Sequence, residues 1–117
     1  MTILAAHAAE LLARLPAKPS RDWPEGEPFT VALAHGTMSV EVYAPRGHDP
    51  QTPHEQDELY LVLQGRAVLE VEGERQDAPS GTVLFVPARA RHRFHELSDD
   101  FAAWVVFWGP PGGEQPR

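Results

Sequence analysis

After residue 28, apolar and polar residues alternate in short runs, a pattern typical of strands that bury one face. Turn-forming residues separate the runs; Gly36, for example, lies between the first two and predicts a hairpin. The predicted strands span residues 29–34, 38–43, 58–63, 67–71, 82–86, 92–95 and 101–108. Short strands spaced by roughly ten residues predict an all-β fold, either an antiparallel sandwich or a barrel.

The first 28 residues follow a different pattern. Residues 3–15 are predicted to form a short amphipathic helix, with Thr2 as its N-cap and Pro16 as its end. The apolar stripe of this helix consists of Leu4, Leu11, Leu12 and Leu15. Four prolines make residues 16–28 a stiff connection to the first strand.

The pattern predicts one folded domain with two short flanking segments. Residues 1–28 form an N-terminal helix and linker, residues 29–108 the barrel, and residues 109–117, rich in glycine and proline, a flexible tail. The strands at 58–63 and 101–108 are apolar on both faces. Because a barrel covers only its inner face, the N-terminal helix or a second subunit must cover the outer one, and we expect a homodimer.

Composition and charge exclude several classes of function. The chain has no cysteine, which excludes disulfides, thiolate metal sites and cysteine nucleophiles. Its net charge of −7 disfavours nucleic acid and anionic membranes, so neither is expected as a partner. Residues 1–10 lack the features of a signal peptide, and no stretch has the length and apolar character of a transmembrane helix. We therefore expect a cytoplasmic protein.

The stretch around His54 and Glu58 carries the first candidate chemistry. On a straight strand these residues would lie roughly 13 Å apart, too far to share a metal ion. They approach each other only if the chain turns between them, or if they occupy positions i and i+4 of a helix. Residues 52–55 match a capping box and support the helix. We favour a polar turn over residues 55–57, because the strand pattern of residues 59–63 begins at once.

A second candidate, His92, begins a strand that follows a loop with a proline at its start. By alternation, His92 shares a face of this strand with Phe94. Together with His54 and Glu58 it completes a set of two imidazoles and one carboxylate. Such a set binds a metal ion and leaves coordination positions open for water or substrate.

Two motifs, in this order, resemble those of the cupin superfamily. The matching positions are His54, Glu58 and Gly65 in the first motif and Gly81, Pro87 and His92 in the second. Residues 53–60 also resemble the Pro-His-x-Gln-Asp-Glu-x-Tyr segment of small single-domain conserved-barrel cupins. The chain departs from the pattern at three positions: Thr52 replaces the first histidine, Arg89 replaces a glycine and Glu96 replaces an asparagine.

The resemblance implies an antiparallel jelly-roll β-barrel, or double-stranded β-helix, that holds one divalent transition metal ion. The metal would be iron, manganese, nickel or zinc. Its implied ligands are His54, Glu58 and His92, with Gln51 or His48 as candidates for the fourth position.

A small-molecule site is expected inside this barrel. The pocket candidates are Tyr60, Arg89, Phe94 and Trp104, and Arg89 suggests a small anionic substrate. Tyr60 and Glu96 are the candidates for an acid or a base. The open coordination positions suit a dioxygenase, an isomerase or a decarboxylase. The alternative hypothesis is a non-catalytic binding or sensing module, in which the metal is structural or absent.

Overall fold

The computed structural model describes residues 4–116, and its regular structure is almost entirely antiparallel strands. The elements are α1 (Ala8–Leu12), β1 (Phe29–His35), β2 (Met38–Tyr43), β3 (Asp57–Gln64), β4 (Arg66–Val71), β5 (Glu74–Pro79), β6 (Val83–Val86), β7 (His92–His95) and β8 (Ala102–Trp108). Five strands form one sheet in the order β1-β2-β8-β3-β6, and three form another in the order β5-β4-β7. This arrangement is an antiparallel jelly-roll barrel, which confirms the predicted fold class.

The predicted strands are all present, with ends shifted by no more than one residue, but the sequence pattern misses β5. Five of the six β5 residues are exposed and only Ala78 is buried, so no apolar alternation marks this strand. β5 lies at the edge of its sheet and pairs with β4 alone. A tight turn at Glu72 and Gly73, both with positive φ, brings the chain back and sets this pairing.

The N-terminal helix is shorter than predicted. It spans Ala8–Leu12 instead of residues 3–15; His7 precedes it in an extended conformation and provides no side-chain cap. The predicted cap, Thr2, lies outside the described residues. Leu11 is buried, whereas Leu4 is 71% exposed and does not extend the apolar stripe. Among residues 4–116, no helix has the length and apolar character needed to cross a membrane.

The core lies between the inner faces of the two sheets. Tyr60 on β3 lies opposite Val105 on β8 and Leu84 on β6, so their side chains share the inner face. From the second sheet, Phe94 packs against Tyr60 with ring centroids 4.8 Å apart, and against Phe101 at 4.9 Å. These aromatic contacts pack the two sheets against each other in the core.

The outer face of the five-stranded sheet is also apolar. Cross-strand pairing aligns a row of five apolar residues, one from each strand: Leu33, Val40, Val106, Leu59 and Phe85. Phe85 is 54% exposed and its neighbour Val83 is 59% exposed. The expected homodimer would cover this face and stays a prediction.

The segment after β8 folds back onto the barrel. The amide of Gly112 donates to the carbonyl of Glu55, and the amide of Glu114 donates to Asp57 Oδ2 at 2.8 Å. Gly113 is buried against Asp57. The predicted mobility of residues 109–117 is not tested by these contacts, but the contacts show that the segment has a defined place beside the start of β3.

Candidate metal centre

The structure brings His54, Glu58 and His92 together. One donor atom from each lies within 4.8 Å of the others. Glu58 points inward from β3, His92 begins β7, and His54 lies in the loop before β3. The amide of Arg89 donates to the carbonyl of His54 at 2.6 Å and ties this loop to the loop before β7. The chain bends at residues 55–56 and forms no helix there, so the turn interpretation is correct and the helix alternative is wrong.

The relation between Glu58 and His92 determines the chemistry of the centre. Nδ1 of His92 lies 2.9 Å from the carbonyl oxygen of Ala90, and this contact requires the ring proton on Nδ1. Nε2 of a neutral His92 therefore carries a lone pair, and it lies 3.0 Å from Oε1 of Glu58. Both atoms are buried, and among the described residues neither has a hydrogen bond of acceptable geometry. Two buried acceptor atoms this close repel each other and are stabilised by a cation, either a proton or a metal ion.

A proton on His92 is the metal-free solution. Burial opposes the charged form of His92, but the nearby Glu58 carboxylate, the Ala90 carbonyl and Asp49 together outweigh burial and raise the pKa of His92. Metal binding is the other solution, because a metal ion replaces that proton and accepts the same lone pairs. Either cation would offset the charge of Glu58, and the two states correspond to the two hypotheses from the sequence, a metal site and a metal-free binding module.

His54 completes the donor set, and its pKa is shifted in the opposite direction from that of His92. Burial lowers the pKa of His54, despite the opposing carboxylate of Glu58, so the imidazole is neutral and able to bind a metal. Its ring lies 5.4 Å from that of His92 and packs edge-on against Phe107 at 4.9 Å. The two imidazoles and the carboxylate are donors suited to iron, manganese, nickel or zinc. The residues present therefore fit the metal that the sequence predicts.

Of the two candidates for a fourth ligand, only Gln51 lies at the centre. Its Oε1 atom is 3.3 Å from Nε2 of His54 and 3.2 Å from the hydroxyl of Tyr60. His48 is exposed and stacks on Trp23, in a separate cleft between the N-terminal segment and the barrel. Thr52, at the position of the first motif histidine, is exposed at the rim of the cavity.

Tyr60 is the only predicted pocket residue that lines the cavity beside the centre. Its side chain is fully buried, and its hydroxyl donates to Gln51. Burial, reinforced by the charge of Glu58, raises the pKa of Tyr60 well above its usual value. The hydroxyl therefore stays protonated, which suits a hydrogen-bond donor and not a base.

The other predicted pocket residues, and the acid or base candidate Glu96, lie elsewhere. Phe94 belongs to the core. Trp104 pairs with Leu61, which is 38% exposed, on the outer face of the sheet. Glu96 is exposed and lies 4.0 Å from Arg75. Arg89 is exposed and its Nε atom is 2.9 Å from Oε2 of Glu55, outside the cavity lining. Its φ of 66° explains why the motif has glycine at this position.

The cavity beside the centre has a volume of about 330 Å³. Within the described part of the chain, no lysine or arginine lines it, whereas Asp22, Glu41 and Glu58 all contribute. Aromatic side chains also line the cavity, among them Trp23, Phe29 and Tyr43. Without a metal ion the lining therefore has a negative character, and Arg89, from which the anionic substrate was expected, is not part of it.

Glu41 is a lining residue that the sequence pattern misses. Its neighbours Val40 and Val42 are apolar, so simple alternation places Glu41 in solvent. In the structure, Glu41 lies opposite Val105 on the inner face, while Val40 and Val42 face outward. Burial, together with the charges of Glu58 and Glu27, raises the pKa of Glu41 to about 7. Tyr43, two residues later, also faces inward. Assigning this large aromatic residue to the core would have placed Glu41 on the inner face as well.

Comparison with known proteins identifies the family. The family model of the cupin domain matches residues 39–108, more than half of the chain. The chain belongs to the cupin family. The Streptomyces coelicolor protein SCO3923 is 43% identical to this cupin over 81 residues, which are 68% of the chain and 76% of that protein. The narrower group defined by the segment at residues 53–60 stays a prediction.

Solved structures resemble this cupin over most of the barrel. TT1209 from Thermus thermophilus has a TM-score of 0.70 and 24% identity, and the match covers 93% of this chain and all of that one. The DMSP lyase DddQ from Ruegeria pomeroyi has a TM-score of 0.61 and 23% identity. The match to the lyase covers 69% of this chain and only 46% of the lyase. At this identity, the likenesses show the fold alone.

Proposed function

We propose that this cupin binds one divalent transition metal ion through His54, Glu58 and His92 and transforms a small molecule in the adjoining cavity. The observation that carries the proposal is the buried pair of His92 Nε2 and Glu58 Oε1, 3.0 Å apart and without a hydrogen bond among the described residues. Because Nδ1 of His92 donates its proton to the Ala90 carbonyl, Nε2 of the neutral ring is an acceptor, and a cation is needed beside the Glu58 carboxylate. The neutral imidazole of His54 beside it adds a donor that a proton alone would not need.

The lining of the cavity supports a neutral or positively charged substrate. Asp22 and Glu41 would repel an anion, and the described lining provides no basic side chain to compensate. Aromatic walls such as Trp23 and Tyr43 suit an apolar or cationic portion of a substrate. We therefore replace the anionic substrate expected from Arg89 with a small neutral or cationic one.

The polar groups of the cavity support a reaction that moves a proton. A bound metal would act as a Lewis acid and polarise an oxygen of the substrate. Tyr60 would donate a hydrogen bond to the substrate or hold Gln51 in place. Glu41, whose pKa is raised to about 7, exchanges a proton readily near neutral pH. This combination favours an isomerase over a dioxygenase, and the acidic lining disfavours a decarboxylase, whose substrate carries a carboxylate.

A second candidate function follows from the raised pKa of His92. If His92 holds a proton, the buried Glu58 is paired without a metal ion. The barrel would then be a metal-free module that binds a small molecule in the same cavity, without turnover.

Metal content per chain separates the two functions. Tag-free protein would be measured by mass spectrometry as wild type, His92→Ala and His95→Ala. His95 is a matched control, since it lies on the same strand but points to Glu70, with Nε2 3.4 Å from that carboxylate. We expect about one ion per chain in the wild type and His95→Ala and none in His92→Ala. Wild-type protein without stoichiometric metal, even after reconstitution, would leave the metal-free module as the function.

A further inference from the structure

We infer that the side-chain oxygen of Gln51 is the fourth protein ligand of the metal, and that Asp49 holds the amide in the orientation this requires. The inference rests on the proposed metal site. It concerns a position at which the chain departs from its family, because Thr52 stands where the first histidine of the motif is expected.

The orientation of the Gln51 amide is fixed from both ends. Its Nε2 atom donates to Oδ2 of Asp49 at 2.7 Å, and a carboxylate can only accept, so the amide nitrogen must lie on this side. At the other end, Oε1 accepts from the hydroxyl of Tyr60 at 3.2 Å. The amide oxygen is therefore directed at the metal centre.

Asp49 is suited to this positioning role. It is only 3% exposed, and its carboxylate also accepts hydrogen bonds from the hydroxyl of Tyr43 and from the backbone amide of Phe94. The contact with Phe94 anchors the loop that carries Gln51 to strand β7, which begins with His92. One buried carboxylate thus connects the candidate fourth ligand to the strand of a predicted ligand.

Two of the donor pairs have the spacing expected for ligands of one ion. Two ligands at about 2.1 Å from one metal lie roughly 3.0 Å apart at a right angle and roughly 3.4 Å apart in a tetrahedron. Gln51 Oε1 is 3.3 Å from His54 Nε2, and Glu58 Oε1 is 3.0 Å from His92 Nε2. Thr52 cannot substitute, because its side chain is short and exposed.

An amide oxygen gives the centre a different character from an imidazole. The donor set becomes two nitrogens and two oxygens, and carbonyl and carboxylate oxygens suit manganese better than they suit copper or zinc. The glutamine is also weaker than a histidine as a ligand, so the chain gives up some metal affinity at this position.

The test measures Co²⁺ binding and the visible absorption spectrum of the Co²⁺ protein, which reports the number and geometry of its ligands. For Gln51→Ala we expect at least about tenfold weaker binding and an altered spectrum. Thr52→Ala is the neighbouring control, and both properties should match the wild type. Gln51→His should restore the affinity with a third, distinct spectrum.

The outcomes separate this inference from the proposed function. If the wild type binds Co²⁺ and Gln51→Ala gives the same affinity and spectrum, Gln51 is not a ligand, while the metal site stands. If the wild type binds no metal, the proposed function fails first. Asp49→Asn tests the positioning role: we expect weaker binding with a spectrum that returns to the wild-type form at saturating Co²⁺. A wild-type affinity in folded Asp49→Asn would exclude that role.

Discussion

Nε2 of His92 and Oε1 of Glu58 lie 3.0 Å apart in the barrel interior, and when His92 is neutral both atoms are acceptors without a hydrogen-bond partner among the described residues. The side chains are only 1% and 2% exposed, so bulk water screens this repulsion very little. The fold maintains this arrangement because Glu58 is held on β3 between β6 and β8, and His92 is held by the Ala90 carbonyl. A cation bound by both atoms should therefore stabilise the native state.

Metal binding should stabilise the folded protein through this pair. At a free metal concentration about 100 times the Kd, the free energy of unfolding should rise by about 2.7 kcal/mol. Glu58→Gln should abolish the increase, whereas Glu96→Gln should keep it, since Glu96 is exposed and outside the cavity. Thermal melting with added Mn²⁺ and with EDTA measures the effect. An equal shift in wild type and Glu58→Gln would place the binding site elsewhere.

The stability of the metal-free protein should depend on pH through Glu41. The pKa of Glu41 is about 7 in the fold and 4.5 as its ordinary value, so the folded protein retains a proton that the unfolded chain releases. The free energy of unfolding that Glu41 contributes is thus complete below about pH 4.5 and falls as the pH rises towards 7. At about 1.4 kcal/mol per pKa unit, the loss is at most about 3 kcal/mol.

Glu41→Gln is the variant that isolates this effect. The variant should gain stability relative to the wild type between pH 5 and pH 8, because it never carries the charge. Urea unfolding in EDTA at several pH values measures the difference, with the charges of Glu58 and Glu27 present in both proteins. Parallel pH profiles for the two proteins would show that Glu41 is solvated in the fold.

The two motif glycines should respond differently to alanine. Both Gly65 and Gly81 have positive φ, at 72° and 89°, so alanine is strained at each by about 1–2 kcal/mol. A Cβ on Gly65 would also overlap Ser98 Oγ and lie 2.6 Å from Asp100 Oδ1 and 2.8 Å from Phe101 Cα. A Cβ on Gly81 meets no atom of the described residues within 4 Å.

Denaturant unfolding of both variants measures the effect of overlap separately from that of backbone strain. Gly65→Ala should lose about 1–3 kcal/mol more than Gly81→Ala, the cost of displacing a packed neighbour. Equal losses in the two variants would mean that the loop containing Phe101 adapts without cost.

The outer face of the five-stranded sheet should be a dimer interface between two copies of this chain. The row of residues from Leu33 to Phe85 carries no charge, so two chains of net charge −7 meet there with the least repulsion. A stable dimer needs about 800 Å² from each copy. Phe85→Glu should give a monomer in light scattering, while Gln76→Glu, on the exposed edge strand β5, should not. A monomeric wild type at high concentration would contradict this.

Most strands of the barrel can be predicted from the sequence, because each is marked by a pattern of apolar residues within its own short run. Alternation over short runs predicts seven of the eight described strands, since each of these buries a face. The exception, β5, is polar and exposed along nearly its whole length, and only its backbone pairing with β4 makes it a strand. The helix was predicted too long, because its leucine stripe continues past the residues that packing supports.

The three candidate ligands could be predicted from the sequence because motif spacing indicates which residues meet at the end of the barrel. The sequence did not distinguish Gln51 from His48 as the candidate fourth ligand. It also predicted Arg89, Phe94 and Trp104 in the pocket, and none of them lines the cavity. Only the tertiary structure decides these cases, because each depends on contacts between residues far apart in the chain.

The sequence by itself determined the fold class and the three candidate ligands, His54, Glu58 and His92. The tertiary structure alone decided that Glu41 faces the cavity and that Asp49 orients Gln51. The reason is that both sides of the five-stranded sheet are apolar, so hydrophobicity cannot tell the inner face from the outer one. Only the second sheet, by closing over one side, determines which polar side chains become buried and functional.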